Sequence, residues 1–405
     1  MTTPLPLPFQ RLAASNLAAQ TAEQISLAAV PIVAVLMLDA RAEEIGLLGV
    51  AQTLPFLLFS IPIGLVADRL SRRWLMMMSE ALRLLAFVGL LLGTTVGWLS
   101  LPWLAVLGFL GASGTVGFSV GVPSMVVALV PRDRLAAANS RLELARSLAF
   151  AAGPALAGAL VSWAGGSTAF VLAAMLSGAS LALLLGLPDA TPQHHGQRRH
   201  ILNDLKEGIV CVWASELLRP ILLTALVWNI SWFVFQSAYV PYAVRALGLS
   251  AQAVGFTLAA YGVGMVLGSL GATKLLRVVS FGHAVLLGPV MSVLAMLTMV
   301  ATLVWPSFEL AACSYFLFGA GPIVWTITST TLRQTVTPEA IIGRVTAIFL
   351  MVNMGARPLG AALGAWMGGQ WGETACLVGA LGGFTLQALI VSLSALRRLK
   401  SLPAG

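Results

Sequence analysis

Charge is what this chain most lacks: only 9% of its 405 residues are Asp, Glu, Lys or Arg. A soluble domain carries about 25% charged and about 45–50% apolar residues, whereas here the hydrophobic share is 58% and the mean hydropathy +0.92. That balance excludes a water-soluble fold. Cysteine is equally scarce. Cys211, Cys313 and Cys376 are odd in number and far apart, with no CxxC and no Cys/His cluster, so neither a structural disulfide nor a metal site is expected. There is no Ser/His/Asp set at one depth, no Gly-rich loop before a Lys and no dinucleotide fingerprint, which excludes a catalytic set, a nucleotide energy source and a cofactor. The N-terminus has no basic n-region, and its apolar stretch outruns a signal peptide's and carries Glu23; it is expected to persist as a first helix.

What the chain has instead is long apolar runs. A spanning helix needs about 20 mostly apolar residues to cross about 30 Å of hydrocarbon. Twelve such runs occur, at 12–38, 45–67, 74–96, 101–127, 142–164, 168–187, 218–244, 252–273, 282–304, 308–332, 345–367 and 374–396. The fold class is therefore an all-α membrane protein with twelve transmembrane helices. Its longest polar stretch divides it six and six: a six-helix bundle over 1–187, a cytoplasmic linker over 188–217 and a second bundle with a short tail over 218–405. The histidines of that linker, His194, His195 and His200, are too loosely spaced to hold a metal. The net charge of +8 is spread through short loops rather than gathered on a patch, so nucleic acid is not an expected partner. With the N-terminus inside, 18 Lys and Arg fall in cytoplasmic segments and only Arg41 and Arg245 outside, which places both termini in the cytoplasm.

The halves repeat. Gly111-Ala112-Ser113-Gly114 followed by Val130-Pro131 returns 207 to 208 residues later as Gly319-Ala320-Gly321-Pro322 followed by Thr337-Pro338. Asn139 to Pro154 and Gly343 to Pro358 are the same fifteen-residue step. Duplicated bundles let one half rock against the other around a midplane site.

Between the second and third runs, one acid and three arginines crowd into six residues: Asp68, Arg69, Arg72 and Arg73, preceded by Gly64. The positive-inside rule explains the arginines but not Asp68. The spacing resembles the loop signature of the major facilitator superfamily, G-x-x-x-D-R-x-G-R-R/K, with Ser71 standing where that family usually has Gly. Pro338-Glu339-Ala340-Ile341-Ile342-Gly343-Arg344, Gly360-Ala361-Ala362-Leu363-Gly364 and Ser250-Ala251-Gln252-Ala253-Val254-Gly255-Phe256 look like the branch containing the enterobactin exporter and the macrolide efflux proteins. Gly153-Pro154-Ala155-Leu156-Ala157-Gly158 is similar to the G-P-x-x-G-G pattern of superfamily antiporters and departs at Ala157. The fourth run lacks the intramembrane Arg of many drug antiporters. The resemblance implies the major facilitator fold, two pseudo-symmetric six-helix bundles, in a monomer of the inner membrane. It also implies a secondary transporter that exchanges protons for a small amphipathic compound such as a drug or siderophore. A uniporter or importer of a small solute, or a lipid-handling membrane protein, are the alternatives.

Candidate functional residues follow from depth and spacing. Glu23 lies about twelve residues, on the order of 18 Å, into the first run and so near the bilayer midplane, where a carboxylate is costly unless protonated or facing a polar cavity. Asn16, Gln20 and Glu23 follow i, i+4, i+7 and form one polar stripe. Glu23 is read as the proton-coupling group, with a structural, hydrogen-bonded carboxyl as the alternative. Arg357, midway along the eleventh run beside Pro358, binds an anionic substrate, tunes Glu23 or serves as a counter-ion. Trp228, Trp232, Phe235, Tyr239 and Tyr242 step by 4, 3, 4 and 3 along the seventh run, a single stripe that faces either lipid or the substrate. In the resembled family the first and seventh helices line the cavity, which favours the second. Glu80 with Arg83 and Glu143 with Arg146 are i, i+3 pairs expected to snorkel to the headgroups. Gly108, Gly111, Gly114, Gly117 and Gly121 form a close-packing face. Asp68 is expected to latch onto the start of the eleventh helix, which carries Arg344 and a positive dipole.

Overall fold

The computed structural model describes residues 6–67, 70–131, 134–189, 201–338 and 341–402. Twelve α-helices account for most of them: α1 Leu7–Leu38, α2 Ala42–Ala67, α3 Arg72–Val96, α4 Leu101–Leu129, α5 Leu135–Ala164, α6 Gly166–Leu185, α7 Ile201–Ala214, α8 Leu218–Arg245, α9 Ala251–Val278, α10 Phe281–Ala301, α11 Phe308–Val336 and α12 Ile342–Leu393. All but α7 are long and apolar enough to cross a membrane. At 52 residues, α12 would be about 78 Å long if straight, more than twice the hydrocarbon thickness. It is two helices. Gly372, at φ 76° and ψ −176°, reverses the chain, and the Cys376 thiol meets the Gly364 carbonyl at 3.4 Å. The spans 342–371 and 373–393 bring the crossings to twelve. Each apolar run of the sequence is thus one crossing. Prolines inside these helices, such as Pro154, Pro322 and Pro358, are tolerated because neighbouring helices can satisfy the freed backbone groups.

The chain forms two compact units. The first comprises Met1–Ala40, Ala51–His195 and Leu249–Ala259. Here α1 packs on α5 and α6, and α3 on α4 and α6. The glycine face of α4 is the seam with α3: a Cβ on Gly114 would strike the Ser79 carbonyl and the Arg83 stem, on Gly117 the Ser79 hydroxyl, and on Gly121 the Met76 side chain. The second unit comprises Arg41–Val50, Gly196–Gly248 and Ala260–Gly405, with α8 packed on α12 and α10 on α11 and α12. The repeated glycine segment plays the same part in it. Gly321 of α11 abuts Met291 of α10, as Gly114 of α4 abuts α3. The architecture is all-α, as the apolar runs suggest.

The polar stretch read as a plain linker contains a helix. α7 has hydrophobic residues at helical spacing; Gly208 comes against the Arg344 carbonyl and Ile348 of α12, and Val212 enters a buried cluster with Leu218, Ile221, Val345 and Ile348. Glu207 accepts a hydrogen bond from Arg344 beside them. His194, His195 and His200 lie outside the described residues.

Candidate functional site

In the first unit the polar stripe of α1 falls at the middle of its helix. The midpoint of Leu7–Leu38 lies between Ala22 and Glu23. Asn16 is buried, while Gln20 and Glu23 are half-buried. The turn that carries Glu23 is gripped from two sides. Arg83 of α3 donates to the Ala19 carbonyl at 2.6 Å, the same carbonyl that the Glu23 N–H reaches in an i, i+4 ladder. From α5, Gly153 presses against Gln24, where a Cβ would lie 3.2 Å from the Gln24 carbonyl carbon and 3.3 Å from the Ile25 nitrogen. One turn further along α5, Gly158 meets Gly255 of α9, Cα 2.7 Å from where a Cβ would stand, and Pro154 is buried between them. The antiporter-like segment therefore sits at two helix crossings, one of them next to Glu23.

The Glu80–Arg83 pair is not at a headgroup. Their side chains are 0% and 1% exposed, enclosed by α1, α4 and α6, and both lie near the midpoint of Arg72–Val96, residue 84. Sequence spacing identified the pair but misjudged its depth. The guanidinium meets Glu80 Oε2 at 3.2 Å, Ser177 of α6 donates to Glu80 Oε1 at 2.6 Å, and the Phe87 ring lies 5.8 Å from the guanidinium carbon. Buried charge of this kind survives only when paired and hydrogen-bonded. Glu143–Arg146 is the contrasting case, exposed at 58% and 38%.

In the second unit Arg357 occupies the corresponding depth, since 342–371 has its midpoint between Ala356 and Arg357. It is half-buried beside the buried Pro358. One turn earlier, Asn353 accepts a hydrogen bond from Asn229 of α8 at 3.1 Å, a pair that sequence reading missed although Asn229 is one of only two side-chain amides in a mostly apolar helix. The α8 stripe divides along its length. Trp228 and Trp232 are half-buried and stack with centroids 5.4 Å apart and planes 8° apart, while the Trp228 indole donates to Ser292 at 3.2 Å. Phe235 and Tyr239 are wholly buried against Tyr315 and Phe318 of α11, with the Tyr239 and Tyr315 centroids 4.5 Å apart. Tyr315 donates to Gln236 at 2.6 Å. Tyr261, Phe318 and Phe384 complete the cluster around Trp232 and Trp228. They come from α9, α11 and the 373–393 span, so no local spacing announces them.

At the loop motif, Gly64 lies in the last turn of α2, Asp68 and Arg69 lie outside the described residues, Arg72 donates to the Ser124 carbonyl at 3.0 Å and Arg73 is half-buried. Ser71 has an ordinary φ of −55° and caps α3, accepting from the Trp74 N–H at 3.4 Å and donating to Asp189. A glycine is not required there. Among the described residues no group of three His, Cys, Asp or Glu could hold a metal.

Comparison with known proteins agrees with this architecture. The chain is 29% identical over 303 residues to the enterobactin exporter EntS of Escherichia coli O1:K1, covering 74% of this chain and 71% of that one, and equally to EntS of Shigella boydii serotype 18. Its fold is similar to that of a bacterial homologue of the iron transporter ferroportin in the inward-facing state, with a TM-score of 0.76 at 16% identity, covering 96% of this chain and 99% of that one. A nucleoside transporter, NupG, superposes with a TM-score of 0.74 at 12% identity over 95% and 99% of the two chains. The model of the Major Facilitator Superfamily matches residues 12–361, most of the chain, and the protein, with its long apolar helices, belongs to that family: a multi-pass membrane transporter, not an enzyme.

Proposed function

We propose that this transporter is a proton-coupled exporter of a small amphipathic compound, of the siderophore or drug kind, working by alternating access in the inner membrane with both termini cytoplasmic. The observation that carries the reading is Glu23: an ionisable group at the midpoint of a spanning helix, on a turn clamped by Arg83 and Gly153. Ionisable residues at such depth are functional by default because their cost must be offset. The carboxyl takes up a proton on the outer side and releases it inward, and the substrate leaves in exchange. Trp228 and Trp232, half-buried and stacked, offer faces for aromatic or cationic groups. Arg357 at mid-span supplies the charge for an anionic one. Relatives named as enterobactin exporters support the outward direction.

The test is transport in inside-out vesicles. Each charge moved across the membrane exchanges about 2.3 kcal/mol per 100 mV with the driving force. Glu23→Gln, permanently neutral, is expected to bind substrate but not to accumulate it against a gradient, and Glu23→Asp to keep partial, pH-shifted transport. Accumulation by Glu23→Gln equal to wild type, with the same pH dependence, makes the carboxyl structural and removes the proton-coupled reading.

A further inference from the structure

The amphipathic helix α7 presents two opposite faces. Gly208 and Val212, with half-buried Cys211, pack against the second unit. On the other side Lys206, Ile209, Val210 and Trp213 follow i, i+3, i+4, i+7 and form one stripe, in which Ile209 is 46%, Val210 58% and Trp213 56% exposed. Three large apolar side chains on one face of a short helix are not left in water without cause.

We infer that this stripe is a bilayer-contact surface, seated in the headgroup and upper acyl region of the leaflet from which α8 enters. Two observations fix the occupant. The helix ends at Ala214, and only residues 215–217 separate it from Leu218, where spanning helix α8 begins; Trp213 is thereby held at membrane-boundary depth. Its docking contact reaches Ile348, six residues inside the start of α12, so α7 lies beside the helix ends and not below them. The side-chain chemistry agrees. A tryptophan prefers the interface, and Lys206 in the same stripe can hold its stem along lipid with its ammonium among phosphates. Glu207 is held by Arg344 at the flank of the stripe, which keeps a carboxylate away from the acyl region.

The experiment uses the full chain in vesicles of phosphatidylethanolamine and phosphatidylglycerol. With Cys211, Cys313 and Cys376 replaced by Ala, an environment-sensitive fluorophore is attached in turn to Ile209→Cys, Val210→Cys, Trp213→Cys and, as the aqueous reference, the exposed tail position Ser401→Cys. Nitroxide-labelled lipid should quench the first three several-fold more than it quenches the reference, with blue-shifted emission, and iodide should quench them less. Should the cysteine-free chain fail to fold, a photo-crosslinking amino acid at Trp213 in the otherwise natural chain gives the same answer by whether it captures lipid. Iodide quenching at all three equal to that at the reference, shielding from both quenchers, or capture of protein in place of lipid overturns the inference.

Discussion

Removing one member of the Glu80–Arg83 pair should be far more damaging than removing both. In the folded protein both side chains are essentially without solvent, and their charges are met by each other at 3.2 Å, by Ser177 at 2.6 Å and by the Ala19 carbonyl at 2.6 Å. Arg83→Met leaves the carboxylate with one hydroxyl donor; Glu80→Gln leaves the guanidinium with one carbonyl. Breaking a buried pair in this way costs about 3–5 kcal/mol, whereas replacing the whole pair by neutral groups of similar volume is often close to neutral. A loss of that size lowers the melting temperature by about 6–20 °C for a unit of roughly 150–250 residues. Thermal unfolding of detergent-purified protein measures it, with Glu143→Gln as control. That pair is exposed, and its loss should cost no more than about 0.5 kcal/mol. The double variant Glu80→Gln/Arg83→Met should be more stable than either single one, the signature of direct coupling. If the two losses simply add, or if Arg83→Met melts with the wild type, the side chains do not act as a charged pair and the argument fails.

Phe235→Ala should lower thermal stability by about 3–5 kcal/mol, since its ring is wholly buried among Tyr239, Tyr315 and Phe318. Trp232→Ala, at a half-buried ring, should instead change substrate KM or range more than Val227→Ala does in a transport assay; equal effects would mean general packing damage. Gly372→Ala should destabilise by about 1–3 kcal/mol from backbone strain alone, because nothing lies within 4 Å of its Cβ position, whereas Gly178→Ala, equally open but helical, should be neutral or stabilising by about 0.4–1 kcal/mol in the same melt. Gly158→Val at the α5–α9 crossing should cost about 1–3 kcal/mol by overpacking, and an unchanged melting temperature would show that the crossing can open freely.

The spans were legible because an apolar run of about 20 residues leaves the chain few other choices; the reversal between the last two runs was legible as a gap, but not the residue that makes it, Gly372. The glycine face of α4 was legible too, since small residues at helical spacing have little use but close approach. What was hidden depended on depth or on other helices. Glu80 and Arg83 looked peripheral because charged i, i+3 pairs usually reach for the headgroups; the partners that enclose them, Ala19 of α1 and Ser177 of α6, are distant in sequence. The α8 stripe read correctly as one face, but its division into buried and half-buried parts is made by Tyr315, Phe318 and Phe384, distant in sequence. In α7, polar residues drew attention away from a 3.6-residue period that Gly208 and Val212 share.

A reversal made by one residue also restricts how this chain can change over time. Loops normally absorb inserted or deleted residues because they have slack. Between 342–371 and 373–393 there is none. Each residue added or lost at Gly372 turns the following helix by about 100° against its neighbours, swinging Cys376, Leu377, Ala380, Phe384 and Gln387 from the interior toward the outside. Single-residue length changes should therefore be selected against at this corner, and an epitope tag or reporter placed there would disrupt the bundle it was meant to report on.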